Sequence, residues 1–341
     1  MGVDSAKRSH VLVAIDDSGR KLGEKTSKTT TSGHIEAMRW ARKSFGSDEV
    51  VWAIEDCRHV SRLLQQDLLA AGHTVIRVPT RLMARTRASA RDPGKSDPID
   101  ALAVARAALR EPGLPTATFN EGARELKLLV DRREDLLGQR TATINRLLWR
   151  LHELDPEVVM GPSALSYGVH QDSARELLSG HHGLVADLAR AELDDISRLT
   201  QDARALEKRI NRTVRVAAPA LLALQGCGPL SAAKIIAETA GVDRFRNEGA
   251  FARFCGVAPE PAWSGYNIGR MRFVKHGNRQ VNTALHRIAI TQIRDGAGRD
   301  YYRKRIECGD PPMGALRRLK RQLARIVYYR MKADNDAAVP A

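Results

Sequence analysis

The stretch KSDPIDALAVARAAL, residues Lys95–Leu109, decides how the first third of this chain folds. Its apolar residues recur at helical spacing, and two aspartates stand three residues apart at its start. One interpretation is helix capping, because Asp97 suits the cap, Pro98 the first helical position and Asp100 the positive end of the dipole. The other is metal binding, since residues three apart share a helix face and paired carboxylates bind hard divalent cations. The choice depends on whether further acids converge here.

The residues before this helix alternate between strand and helix patterns. A turn at Asp17–Gly19 is typical of a hairpin. The patterns predict strands over residues 11–15, 21–29, 49–55 and 74–79, and helices over residues 31–45 and 59–72. A hairpin followed by strands interleaved with helices indicates an α/β fold, with a mixed sheet and helices packed on its faces.

Two further acids stand at the ends of predicted strands. Asp4 closes a short first strand, and Glu55 closes the strand VVWAIE. If the first and fourth strands are neighbours, their carboxyl ends and the start of the Asp97 helix meet at one edge of the sheet. Four acids there can hold two Mg²⁺ ions about 4 Å apart, an arrangement that clamps the attacking and leaving oxygens of phosphoryl transfer. The order strand-Asp, strand-Glu, helix Asp-x-x-Asp raises this hypothesis above chance.

Composition narrows the class of partner. The 341 residues carry a formal net charge of +15, with a sequence pI of about 10.0, which indicates a polyanion such as nucleic acid. No apolar run approaches the roughly 18–20 residues of a membrane span, and no signal peptide opens the chain. The four cysteines are scattered without a C-x-x-C pair, which argues against structural zinc and for a reducing compartment. We therefore expect a cytoplasmic protein with no membrane partner.

The middle of the chain is predicted to be helical. Val130, Leu137, Ile144 and Leu151 recur every seven residues, and apolar residues over 196–210 show the same seam spacing. Both stretches fit a coiled-coil pair, antiparallel if joined through residues 161–183. Two interpretations remain open for the arginines on the outer faces, which are either solvated or form a stripe that faces nucleic acid. These arginines are Arg132, Arg133, Arg140, Arg146 and Arg150.

The last third is predicted to be mostly helical, with a helix-hairpin-helix-like motif at its start. Gly226 and Gly228 lie between two apolar helical patterns, where backbone N–H groups can bind a phosphate, although a plain helix–helix turn needs the same glycines. PAWSGYN (261–267) and a basic loop follow. The dense basic face of residues 317–332 favours phosphate contact given the overall charge. The domains are predicted at residues 1–115, 116–215 and 216–335.

Several of these motifs together resemble one family. The segments that carry the resemblance are GVDSAKRSHVLVAIDDSGR, VWAIED, KSDPIDALAVARAAL, LLALQGCGPLSAAKIIAE, FARFCGVAPEPAWSG and KHGNRQVNTALHR. They are similar to the DEDD-type transposases of insertion sequences, a family described as bridge-RNA-guided recombinases. The resemblance covers nearly the whole chain. It implies a RuvC-like, RNase H-type domain, a coiled coil and a C-terminal transposase domain in a protein of the bacterial cytosol or nucleoid.

The resemblance also implies two catalytic centres. Asp4, Glu55, Asp97 and Asp100 would form a metal-binding tetrad, with two Mg²⁺ ions per site or Mn²⁺ in their place, and Ser264 would be the nucleophile. A serine that attacks a phosphodiester keeps the bond energy in a phosphoserine link, so the strand can be resealed without ATP. The residues predicted to bind nucleic acid are Gly226, Gly228, Arg270, Arg272, Lys275, His276, Asn278 and Arg279.

The implied partners are double-stranded donor and target DNA, a structured noncoding guide RNA, and further copies of the chain in a dimer or tetramer. One alternative is a RuvC-like, Mg²⁺-dependent endonuclease or Holliday-junction resolvase, which cleaves without a covalent intermediate. Another is a non-enzymatic nucleic-acid-binding protein, and the intact acids argue against it.

Overall fold

The computed structural model describes residues 1–46, 50–55, 60–89, 94, 96–161, 163–263, 271–273 and 276–338. The chain forms two compact units, one of residues 1–120 with 243–250, the other of residues 121–242 with 251–341. The division into three domains stays a prediction. Within the described part of the chain, no helix is both long and apolar enough to cross a membrane.

The first unit is built on a five-stranded mixed sheet. Its strands are β1 (Gly2–Ser5), β2 (Ser9–Ile15), β3 (Lys21–Lys28), β4 (Trp52–Glu55) and β5 (Val75–Val78). They lie in the order β3-β2-β1-β4-β5, so that β1 is central. β1 pairs antiparallel with β2 and parallel with β4, which in turn pairs parallel with β5. The predicted hairpin, the mixed sheet and the adjacency of the first and fourth strands are confirmed.

Helices cover both faces of this sheet. They are α1 (Thr31–Phe45), α2 (Arg62–Ala70), α3 (Thr80–Ala88) and α4 (Asp97–Arg110). Alternate residues of a strand point to opposite faces. On β4, Trp52 and Ile54 pack with residues of α1 and α2, whereas Ala53 packs with residues of α3 and α4. The sheet therefore lies between two helical layers, and α4 covers one defined face.

The second unit begins with α5 (Glu121–Leu154), α6 (Gly168–Ser179) and α7 (Leu184–Ala217). Arg133 pairs with Glu207, and Arg150 pairs with Glu192, so α5 and α7 run antiparallel. The predicted seam lies in their interface, where its buried members are Val130, Ile144, Leu151, Ile196, Leu199, Ala203 and Ile210. The prediction of an antiparallel pair is confirmed, and the connecting segment contributes a helix of its own.

Several of the arginines on α5 contact residues of α7. The Nε atoms of Arg146 and Arg150 lie 3.3 and 3.0 Å from the two carboxylate oxygens of Glu192. Arg140 donates to the Thr200 hydroxyl at 3.3 Å. These contacts join α5 to residues of α7 that are far away in sequence, while the Arg146 side chain stays 56% exposed, so both interpretations of these arginines stay predictions.

The remaining elements of the chain are α8 (Pro219–Leu222), α9 (Pro229–Thr239), α10 (Glu248–Phe254), β6 (Pro259–Pro261), β7 (Met271–Phe273), α11 (Arg279–Arg294), α12 (Ala297–Glu307) and α13 (Pro312–Ala338). α11 packs against α9, α12 and α13. β6 and β7 form a small antiparallel hairpin, which the sequence pattern did not predict. The last third is otherwise helical, as expected.

Candidate active site

β1 and β4 bring two acids to the same edge and the same face of the sheet. The parallel register pairs Gly2 with Ala53, so Asp4 and Glu55, each two residues further along, lie side by side. Both acids share the alternation of Gly2 and Ala53, which face α4. The strand pairing therefore directs two carboxylates toward the helix that begins KSDPID.

The start of α4 supplies the other two acids. Ser96 occupies the N-cap position without a capping hydrogen bond from its side chain, and Asp97 and Asp100 lie in the first turn. The Asp100 amide donates to the Ser96 carbonyl at 2.9 Å, as a first helical hydrogen bond does. The interpretation of Asp97 as the cap is therefore wrong by one residue. Asp100 is buried, and its first-turn position suits the positive end of the helix dipole.

Gly2 determines how closely α4 approaches β1. A Cβ atom on Gly2 would overlap the carbonyl oxygen of Ala101 and the backbone nitrogen of Ala105. A glycine in the strand and small residues on the helix let the two backbones pack together. This close contact explains why the helix is rich in alanine, and it brings the first turn of α4 near the end of β1.

The electrostatics of Asp4 shows that the four acids share one neighbourhood. Burial, and then the negative charges of Asp97, Asp100 and Glu55, raise the pKa of the Asp4 carboxyl from 3.8 to about 6. A hydrogen bond from the Ser5 backbone opposes this shift. Like charges raise the pKa of a carboxyl only when they lie close to it.

Arg87 on α3 partly offsets this negative charge. Its Nη1 donates to Oδ1 of Asp100 at 2.6 Å, and both side chains are mostly buried. Arg87 has no distinguishing signal in the sequence, where it is one of a series of arginines after β5. The pairing holds the Asp100 carboxylate in position.

The four acids suit a divalent cation by type. They offer oxygen ligands only, which Mg²⁺ and Mn²⁺ accept, and a cation would relieve their mutual repulsion. Among the described residues, however, no three His, Cys, Asp or Glu side chains are gathered closely enough to enclose an ion. The donor set therefore fits the group, and ion binding requires the carboxylates to draw together.

The predicted nucleophile lies in the second unit. Residues 262–270 connect β6 to β7, and Ser264, Arg270 and Lys275 lie outside the described residues. Arg272 is exposed on β7, and Arg279 is exposed at the start of α11. Nε2 of His276 lies 2.9 Å from Oε1 of Glu260, at an angle unsuited to a hydrogen bond, so the contact is ionic when the imidazole is charged.

Asn278 is held in position by both ends of its amide. Its Oδ1 accepts from the Gln280 and Val281 backbones and caps α11, while its Nδ2 donates to Glu238 at 2.7 Å. Its predicted contact with nucleic acid stays a prediction.

Two glycines explain the KHGNR and FCGVA motifs. Gly277 has φ +112° and Gly256 has φ +68°, conformations that favour glycine. A Cβ atom on Gly277 would overlap the backbone of Gly256, and one on Gly256 would overlap the His276 carbonyl. Two chain segments therefore cross in direct backbone contact, next to the β6–β7 hairpin. Sequence reasoning did not predict this crossing.

The Gly226–Gly228 turn joins α8 to α9, as predicted. Gly226 has φ +83°, and a Cβ atom there would lie 3.1 Å from the Ile288 carbonyl oxygen. Gly228 caps α9 and has open space around it. Close packing on α11 therefore explains why residue 226 is a glycine. Gly228, at the exposed start of α9, is the better candidate for phosphate contact.

Comparison with known proteins gives two family matches. A model of DEDD transposases of the IS110 type, described as "Transposase", matches residues 1–156. A second model, described as "Transposase IS116/IS110/IS902 family", matches residues 218–303. The first match contains the four acids, and the second contains the glycine crossing and Ser264.

Individual relatives align over nearly their whole length. The "uncharacterized 44.8 kDa protein" of insertion element IS116 from Streptomyces clavuligerus is 26% identical, with 100% of this chain and 96% of the relative aligned. The 42 kDa protein of insertion element IS900 from Mycobacterium paratuberculosis is 25% identical, over 100% and 97%. The 43.6 kDa protein of insertion element IS110 from Streptomyces coelicolor is 24% identical, over 97% and 93%.

Proposed function

Because the chain belongs to the IS116/IS110/IS902 family of transposases, we propose that it is an RNA-guided DNA recombinase that excises and inserts its own insertion sequence. The observation that carries the proposal is the convergence of four acids from β1, β4 and α4. Acids gathered in this way destabilise a fold, so their presence favours a functional role.

The strand order supports a RuvC-like, RNase H-type domain. A central β1, flanked by an antiparallel hairpin on one side and parallel strands on the other, places the ends of β1 and β4 beside the start of α4. In this proposal Asp4, Glu55, Asp97 and Asp100 hold one or two Mg²⁺ ions. The ions would neutralise charge on the phosphate under attack.

The second centre of the proposal is Ser264. Its Oγ attacks a DNA phosphorus and forms a phosphoserine bond, while the bond from phosphorus to one deoxyribose oxygen breaks. The serine proton passes to solvent, and the departing oxygen takes up a proton. Attack by another deoxyribose hydroxyl reverses the step, releases the serine and seals the exchanged strand. No external energy source is needed because each bond broken is replaced by one of the same type.

The partners in this proposal follow from charge and from the reaction. A net charge of +15 suits binding of both duplex DNA and a structured guide RNA. Exchange of strands between a donor and a target requires several active sites, so the working form is a dimer or tetramer.

A trapping experiment tests both centres. Protein with its RNA is incubated with nicked donor DNA and Mg²⁺, denatured, and examined for a covalent protein–DNA adduct. The wild type should form the adduct, Ser264→Ala should form none, and Asp100→Asn should lose at least about 10²-fold in rate because one charge-stabilising ligand is missing. Asp17→Asn, which alters an exposed acid of the same unit, should behave as wild type.

Two results would contradict the proposal. Strand exchange by Ser264→Ala would remove the serine from the mechanism. Metal-dependent cleavage without any adduct in the wild type would instead identify a RuvC-like nuclease or resolvase.

A further inference from the structure

The second unit contains a cavity of about 390 Å³ whose described lining is basic. It lies between the glycine crossing, α11 and α13. His276, Arg279, His286, Arg317 and Lys320 contribute to its wall, and no aspartate or glutamate does so among the described residues. Most protein surfaces mix charges of both signs, so a concave site whose ionisable groups are all basic favours anions.

Lys320 is the central residue of this cavity. It is only 9% exposed, and its Nζ donates to Oδ1 of Asn282. No carboxylate among the described residues pairs with it. Burial, and then the charge of Arg317, lower the pKa of its ammonium group. A buried cation without an anionic partner is costly, and an anion bound in the cavity would compensate it.

The wall around Lys320 is held in place by hydrogen bonds. Nδ2 of Asn282 donates to the carbonyls of Cys255 and Gly256 at 2.8 and 3.2 Å, which directs its Oδ1 toward Lys320. The tight contact of Gly256 with Gly277 fixes the same segment. The position of the ammonium group is therefore set before any ligand binds, and prior organisation of this kind favours affinity.

The cavity is not lined by cations alone. Met313 and Leu316 add apolar surface beside the basic groups, and Arg279 stands exposed at the rim. An isolated phosphate ion makes no use of apolar surface, whereas a nucleotide also presents a sugar and a base. The combination therefore fits a phosphodiester within a nucleic-acid chain better than a free ion.

We propose that this cavity binds one backbone phosphate of a nucleic acid, with Lys320 and Arg279 supplying the charge and the sugar resting on Met313 and Leu316. The proposal deepens the proposed function, since it rests on nucleic acid as the partner. It does not depend on Ser264 or on the four acids of the first unit.

The first test uses inorganic phosphate as the probe. Thermal unfolding of the RNA-free protein is followed against phosphate concentration at constant ionic strength. The wild type should be stabilised in a saturable way, and Lys320→Met should raise the apparent Kd at least about tenfold, because a charged hydrogen bond is lost.

The control is Arg325→Gln, which changes an exposed residue of α13 outside the cavity and should keep the wild-type Kd. Arg279→Gln, at the exposed rim, should weaken phosphate binding without altering the buried lysine, so the test survives if Lys320→Met unfolds.

The second test distinguishes a nucleic-acid phosphate from a free one. The slope of log affinity against log salt is measured separately for a duplex DNA and for a structured RNA. Lys320→Met removes one phosphate contact. For the nucleic acid that occupies the cavity, the magnitude of the slope should therefore fall by about one. If Lys320→Met lost its stabilisation by phosphate but kept the wild-type salt slopes for both DNA and RNA, the cavity would be a site for free phosphate and the proposal would be overturned. Equal phosphate affinity in wild type and Lys320→Met would overturn the site itself. Neither readout requires cleavage, so failure here and failure of the proposed catalysis are separate results.

Discussion

Gly2 has no side chain, and this allows α4 to pack directly on the central strand. The first turn of α4 carries two of the four acids, so the position of the helix sets the position of the acids. A residue without any chemistry of its own therefore shapes the proposed metal site.

Replacing Gly2 with Ala should separate α4 from β1, because the added Cβ would meet backbone atoms that cannot move aside easily. We expect a loss of about 3 kcal/mol in the free energy of unfolding, at the upper end of the usual overpacking range. Urea denaturation measures this loss. Gly138→Ala is the matched control, since Gly138 lies within α5 with no atom near its Cβ position, and it should stabilise by up to about 1 kcal/mol. Equal stability of wild type and Gly2→Ala would mean that the close packing is unimportant.

Asp4, unlike Gly2, destabilises the fold when its carboxyl is ionised. Its pKa is about 6 in the fold and 3.8 in the unfolded chain, so its contribution becomes unfavourable as the pH rises from about 4 to above 6. Asp4→Asn should therefore raise the thermal stability of the metal-free protein at pH 8, by about 1 kcal/mol after allowance for its partial exposure. At pH 4 the gain should vanish. Asp17→Asn should show no such pH-dependent gain. A destabilised Asp4→Asn at pH 8 would show that the acids do not repel one another.

At the scale of elements, α5 and α7 are joined by an apolar seam and by ion pairs beside it. Glu192 is mostly shielded and receives both Arg146 and Arg150. The pair Arg198–Asp195 differs, because it links neighbouring turns of α7 and both side chains are exposed. These two kinds of ion pair should contribute very differently to stability.

Glu192→Gln should lower the free energy of unfolding by about 1–2 kcal/mol, since two arginines lose a shielded partner. Asp195→Asn should change it by less than about 0.5 kcal/mol, as exposed pairs on one helix usually do. Both values can be measured by urea denaturation. Similar effects for the two substitutions would show that the Glu192 pairs are as solvated as the surface pair.

These elements also show what the sequence could predict. The seven-residue spacing gave both long helices and their seam, because periodicity is a local property. The paired acids of β1 and β4 could be predicted because parallel strands align their carboxyl ends. Other contacts could not be predicted, because each depends on residues that only tertiary packing brings together. They are the pairs Arg87–Asp100 and Arg150–Glu192 and the contact of Gly256 with Gly277. The N-cap position was missed by one residue because serine and aspartate are both common there, so the sequence does not distinguish Ser96 from Asp97.

At the scale of the whole molecule, the excess of positive charge is the strongest indication of partner. Many arginines already pair with acids inside the fold, as those of α5 do, so the charge left for a partner is smaller than the number of basic residues suggests. The net value of +15 nevertheless requires counterions or a polyanion.

Affinity for nucleic acid should therefore fall steeply with salt. If six or more phosphates are neutralised, raising the salt from about 50 to 200 mM should weaken binding about 10³-fold or more. Fluorescence anisotropy with labelled duplex DNA and with RNA that copurifies with the protein measures this change. A difference below about tenfold for both would mean that phosphate contacts do not dominate binding.

The central position of β1 also bears on the order in which the chain folds. β1, β2 and β3 are consecutive and can pair through short turns, whereas β1 meets β4 only after about fifty residues, and α4 lies about ninety residues beyond Asp4. Local pairings form faster than distant ones. We expect the three-strand meander to form before Glu55, Asp97 and Asp100 reach Asp4, so that the repulsion among these four acids arises only as β4 and α4 dock. We therefore expect the proposed catalytic edge to be completed late in the folding of this unit, when β4 and α4 join the meander.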